Sequence, residues 1–97
     1  LDVELHPDGR ITQRNSPFFA GAGHLLDRGI AQFVKHTGNS LSRALTACTL
    51  NPARLLGLPE THFTLQVGSP AHLLLFTHSS QADSITIQSV QVEGEEY

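Results

Sequence analysis

The sequence predicts an α+β chain in which two to three helices are flanked by a β-hairpin and by C-terminal strands. Three observations predict it. Apolar Leu1, Val3 and Leu5 alternate with polar neighbours up to a Pro7-Asp8-Gly9 turn, the period-two signature of a half-buried strand. From Leu25 to Cys48 the apolar residues recur at helical spacing instead. After Pro59 short apolar runs return, separated by polar and glycine-containing connections.

Taken in order, Pro7-Asp8-Gly9 supplies turn chemistry before Arg10-Ile11-Thr12, so the chain opens with a hairpin. Residues 15–23 hold Pro17, Gly21, Gly23 and the pair Phe18-Phe19 and follow neither period, which predicts an apolar loop. Leu25, Leu26, Ile30, Phe33 and Val34 then line one side of a first helix that ends near Gly38, with Asp27, Arg28, Gln32 and Lys35 on the other. Leu41, Ala44, Leu45 and Cys48 form the stripe of a second helix, capped by Asn39 or Ser40. Asn51-Pro52 and Gly57 read as a capping Asn, a Pro at the first helical position and a terminating Gly, which predicts a short third helix. Strands are expected at 64–67, at 71–77 and along Ile85, Ile87, Val90 and Val92. In the last of these the apolar positions change parity around Gln88 and Ser89, so a bulge is expected there. Glu93, Glu95 and Glu96 read as a solvated acidic end.

Composition narrows the function classes. Six Lys+Arg against nine Asp+Glu leave a net charge of −3, which disfavours a nucleic-acid partner. No stretch approaches the roughly 20 apolar residues of a membrane span, so no membrane partner is expected. The chain of 97 residues is one domain at most and falls far short of the ~250 residues of a (β/α)8 barrel. Cys48 is the single cysteine, which excludes an intrachain disulfide and a thiolate-based zinc site and points to a reducing cytoplasm. With no methionine and no signal peptide, the chain reads as a piece of something longer.

The residues do not assemble a catalytic site. Six histidines invite a metal reading, but they contain no H-x-H or H-E-x-x-H pattern. His72 and His78 share parity on one strand yet stand about 20 Å apart at extended spacing. They read as surface or hydrogen-bonded side chains. Cys48 falls on an apolar helix face, where a thiol acts as a small hydrophobe. None of Ser16, Ser40, Ser42 and Ser69 lies in a G-x-S-x-G setting. The loop from Phe18 to Gly23 is the best binding candidate: glycines allow close backbone approach, and the Phe pair walls a pocket. The plainer reading is that these phenylalanines seal a core.

The run Thr49-Leu50-Asn51-Pro52-Ala53-Arg54-Leu55-Leu56-Gly57-Leu58 resembles the T-x-N-P-A-R-x-L-G-L signature of the amidohydrolase superfamily. Leu65 to Phe76 is similar to its L-x-x-G-x-x-A-D-L-V-x-F strand, and Val90-Gln91-Val92-Glu93-Gly94 to its final V-x-V-x-G strand. Upstream, the segment from Asp8-Gly9 through Ala20-Gly21, then Leu26 to Ile30 and His36-Thr37-Gly38, most resembles the N-acetylglucosamine-6-phosphate deacetylases within that superfamily.

The resemblance implies the C-terminal segment of a metal-dependent enzyme. Residues 1–58 would supply a hairpin, a substrate loop and barrel-closing helices, and 59–97 the last strands of a small β-sandwich. The enzyme would hydrolyse an amide with water activated by zinc or a similar divalent metal, whose ligands and catalytic Asp lie outside these residues. No catalytic or metal residue is therefore assigned here. The expected partners are the upstream barrel of the same chain, a small sugar substrate and a second copy, since exposed helix faces favour self-association. One element carries over: a loop closing over the sugar phosphate, matched here by Phe19, Ala20 and Gly21. Ala20 and Ala22 stand where the family has serines, His72 where it has Asp and Phe63 where it has Gly. Read without the resemblance, the residues also fit a free-standing α+β interaction module.

Overall fold

A computed structural model describes residues 2–97. Leu1, the first residue of the expected hairpin, lies outside them. The elements run β1 (Val3–Leu5), β2 (Arg10–Gln13), β3 (Phe19–Ala22), α1 (Leu26–Thr37), α2 (Leu41–Cys48), α3 (Leu50–Leu55), a 3-10 turn (Glu60–Phe63), β4 (Leu73–Thr77), β5 (Thr86–Val92) and β6 (Glu95–Glu96). The strands form two antiparallel sheets, ordered β1-β2-β3 and β4-β5-β6.

The hairpin forms as its alternation predicts, with Val3 opposite Gln13 and Leu5 opposite Ile11. The expected loop at 15–23 is corrected in its second half. Phe19–Ala22 pairs with β2 as a third strand, because edge pairing satisfies backbone groups that a loop would leave to water. Helix α1 stops at Gly38, whose φ of 70° is left-handed and whose N–H donates to the Val34 carbonyl. Ser40 caps α2 by accepting from the Arg43 N–H at 3.2 Å.

The third helix starts earlier than its Asn-Pro signal suggests. Thr49 is the flanking residue, Leu50 opens the helix and Asn51 lies inside it. Pro52 is tolerated because its missing N–H falls in the first turn, where no intrahelical acceptor exists. Gly57, at φ 70°, ends it with paired bonds from Gly57 N–H to Arg54 and from Leu58 N–H to Ala53.

The strand expected at 64–67 is also corrected: these residues are irregular and include a turn. Short alternating runs form strands only where an edge offers a ladder partner, and none reaches this segment. Strand β4 forms two residues shorter than its apolar run, and the bulge in β5 appears where the parity change places it. Leu75 opposes Ser89 and Phe76 opposes Ile87, leaving Gln88 as the extra residue. The acidic end pairs as β6 while keeping both glutamates exposed.

One cluster of apolar side chains joins the helices to the second sheet. Ile30, Ala44 and Ile85 are buried at its centre, with Val34, Leu41, Leu45, Cys48 and Phe76 packed around them. The Ile85 N–H donates to the Asp27 carbonyl at 3.2 Å, and Lys35 pairs with Asp83 at 3.1 Å, so α1 is tied to the start of β5.

This cluster is small for the chain. Accessible surface is 7293 Å², against about 5,400 Å² for a compact protein of this mass. The radius of gyration is 16.3 Å, against about 12.5 Å. Large apolar side chains therefore stay exposed on β1, β3, α1, α3, β4 and β5 and in the connections between elements, Leu5, Leu25, Leu26, Leu55, Leu56, Leu65, Val67 and Leu75 among them.

Candidate functional site

The expected substrate residues Phe19, Ala20 and Gly21 lie on β3. Its pairing with β2 is irregular: Ile11 opposes Gly21 while Thr12 opposes Phe19, so Ala20 has no cross-strand partner in the register. This is a bulge, a device that re-aims a strand locally. Gly21 sits at φ 157° with open space around it, so torsion rather than crowding favours glycine there. Both phenylalanines are exposed, Phe18 at 72% and Phe19 at 73%, so they seal no core among the described residues.

Phe19 and Gly21 border a cleft of about 330 Å³ that also touches Asp8, Gly9, Arg10 and His24. The strand register explains the meeting, since Arg10 lies opposite Ala22. The Asp8 carboxylate accepts from the Arg10 backbone N–H at 3.1 Å and from its Nε at 2.6 Å. Those bonds hold the Asp8 carboxyl below the usual carboxylate range, the backbone bond most of all. His24 lies over the hairpin turn, where a Cβ on Gly9 would stand 2.7 Å from its Nε2. A Cβ on Gly23 would collide with the Gly9 carbonyl, so the end of β3 packs against the turn.

Asp8, Arg10 and His24 are not singled out by the sequence as residues of this cleft. The only signal for them is indirect, because a two-stranded register carried across 15–23 would be needed to bring Arg10 beside the loop. The cleft is lined mostly by apolar surface, with the Arg10 cation already paired with Asp8 and His24 beside them. It contains no nucleophile-base pair.

The histidines are dispersed. The His6 ring bonds the Thr12 hydroxyl at 2.8 Å, His36 bonds Gln32 at 2.7 Å, and His72 accepts from the Glu93 N–H at 3.2 Å. His72 and His78 flank β4 at opposite ends. Among the described residues no three His, Cys, Asp or Glu side chains converge as a metal site requires, so these residues do not fit the divalent metal that the resemblance implies. Cys48 packs at the rim of the apolar cluster. No helix among the described residues is long and apolar enough to cross a membrane.

Comparison with known proteins gives these features a family. The profile of the Amidohydrolase family matches residues 9–96. The chain is 31% identical over 93 residues to N-acetylglucosamine-6-phosphate deacetylase of Rattus norvegicus, covering 95% of this chain and 22% of that protein. It is 34% identical over 70 residues to the Homo sapiens protein of the same name, covering 72% of this chain and 16% of that one. The Mus musculus protein matches at 31% over 93 residues, with 95% and 22% covered. No solved structure matches the chain. The chain thus spans about a fifth of the length of the curated relatives it matches, and it belongs to the amidohydrolase family.

Proposed function

We propose that this chain is the C-terminal part of a metal-dependent amidohydrolase that removes the acetyl group from an N-acetylated amino-sugar phosphate. The observation that carries the reading is the similarity to deacetylases over 93 residues, 95% of this chain. The reading places the ligands of the divalent metal, zinc or similar, in the upstream part of the protein, so no step is routed through these residues. One feature of the structure supports it. The apolar side chains exposed on α1, α3 and β4 make surfaces suited to an upstream barrel and to the rest of a β-sandwich.

In this reading the chain's own contribution is binding and closure. Phe19, Ala20 and Gly21 form one edge of the substrate site, presenting backbone groups because alanine stands in place of a hydroxyl side chain. The helices close the barrel. A cytoplasmic location goes with a phosphorylated sugar substrate and a single free cysteine.

The test is acetate release from N-acetylglucosamine 6-phosphate in the presence of zinc. The full-length protein is expected to turn the sugar over and the 97-residue chain to show none. A full-length protein without turnover, or an isolated chain with it, contradicts the reading.

A further inference from the structure

Among the described residues Thr12 is the one polar residue buried as a whole, and it lies at the bulge. Thr12 is 5% exposed, and its hydroxyl is bonded by His6 Nε2 at 2.8 Å across the first hairpin. Thr12 is also the residue at which the β2–β3 register breaks, passing from Ile11 opposite Gly21 to Thr12 opposite Phe19. Strand β3 is held at both ends by other contacts. At its start the Gln13 N–H donates to the Phe18 carbonyl at 3.0 Å. At its finish Gly23 and His24 pack on the Gly9 turn. Between these fixed ends the bulge sets where Ala20 points, and Thr12 is the buried group beside it.

A buried hydroxyl left without a partner is destabilising. Removing the His6 ring therefore favours any rearrangement that returns Thr12 to solvent, and the nearest movable element is the bulge. We propose that His6 is a positioning residue: through Thr12 it fixes the bulge that places Ala20 and Gly21 at the edge of the substrate site. The inference rests on the proposal that these residues meet substrate.

The experiment uses the full-length protein with His6→Phe, Thr12→Ser and the double variant His6→Phe/Thr12→Val. Two readouts are taken, amide hydrogen exchange of residues 18–22 and the split between KM and kcat for N-acetylglucosamine 6-phosphate. His6→Phe, which strands the buried Thr12 hydroxyl, is expected to speed exchange at 18–22 at least fivefold, without comparable change in α2, and to raise KM at least fivefold with kcat within twofold. Thr12→Ser, which keeps the hydroxyl, is expected to stay within twofold of wild type in both, and the double variant, which removes the stranded hydroxyl, to reverse the faster exchange. Unchanged exchange in His6→Phe overturns the positioning role. Faster exchange with unchanged KM in an active enzyme overturns its link to substrate. Wild-type protein without deacetylation defeats the functional reading instead, and exchange alone then decides whether His6 fixes the bulge.

Discussion

The corner where α1, α2 and β5 meet and the first sheet, β1-β2-β3, solve the same problem differently. The corner buries Ile30, Ala44 and Ile85 against one another and is cross-tied by Lys35, Gln32 and Asp83. The first sheet buries only Thr12 and leaves Val3, Leu5 and Phe19 exposed. A sheet needs an apolar face covered to outweigh the entropy of ordering its strands. The corner covers its own face; the first sheet leaves its apolar side chains open among the described residues, as the proposed reading expects of a sheet that an upstream part of the protein covers.

The largest effect is expected where the corner is broken. Ile30→Ala should cost about 2–5 kcal/mol by removing buried methyl groups and leaving a cavity, read as a fall in the thermal midpoint of the full-length protein. Leu5→Ser sharpens the contrast. It should be near neutral in the isolated chain, where Leu5 is 66% exposed, and should cost about 1.5–3 kcal/mol in the full-length protein if the sheet is covered there. Equal, small effects in both would show that nothing packs on the sheet.

Backbone changes in the helices come next. Gly38→Ala places a side chain at φ 70° with no crowding around it, so the expected loss is torsional, about 1–2 kcal/mol. Ser40→Ala removes the side-chain acceptor from the Arg43 N–H, for about 1 kcal/mol. Chemical denaturation of the full-length protein measures both.

The smallest effect is electrostatic. Asp83, which accepts hydrogen bonds from Lys35 and Gln32, is held below the usual carboxylate range, the Lys35 bond contributing most. Glu60 is held down in the same way by Arg54. A lowered folded value means that the stabilisation is present above the unfolded pKa, near 4, and is lost as pH falls through the folded value. The melting difference between wild type and Asp83→Asn should therefore be present at neutral pH, shrink below about pH 4 and be absent at lower pH. The pairs are solvent-exposed, so the difference is small throughout.

How far the chain was legible follows the same division. The first two helices and the glycine stops rest on local rules and are readable between Leu25 and Gly57, with the cap of α2 narrowed to Asn39 or Ser40 and the start of α3 placed one to two residues late. The bulge at Gln88 is readable because a parity change in an apolar strand has one geometric remedy. Strand β3 was not legible, since Phe19-Ala20-Gly21-Ala22 has no alternation and pairs only because β2 offers it a ladder. The expected strand at 64–67 failed for the opposite reason, having the pattern but no partner. Of the candidate site, Phe19 to Gly21 could be picked out by resemblance, while Asp8, Arg10 and His24 join it only through the register of a strand the sequence does not announce.

The claim underlying all of this is that the exposed apolar surface is an interface. The excess over a compact protein is roughly 1,900 Å², more than twice the ~800 Å² that each side of a standard interface buries. Sedimentation velocity of the isolated 97-residue chain over a hundredfold range of concentration tests this most directly. The account predicts concentration-dependent self-association as those faces find one another. A single compact monomer across the whole range would contradict it.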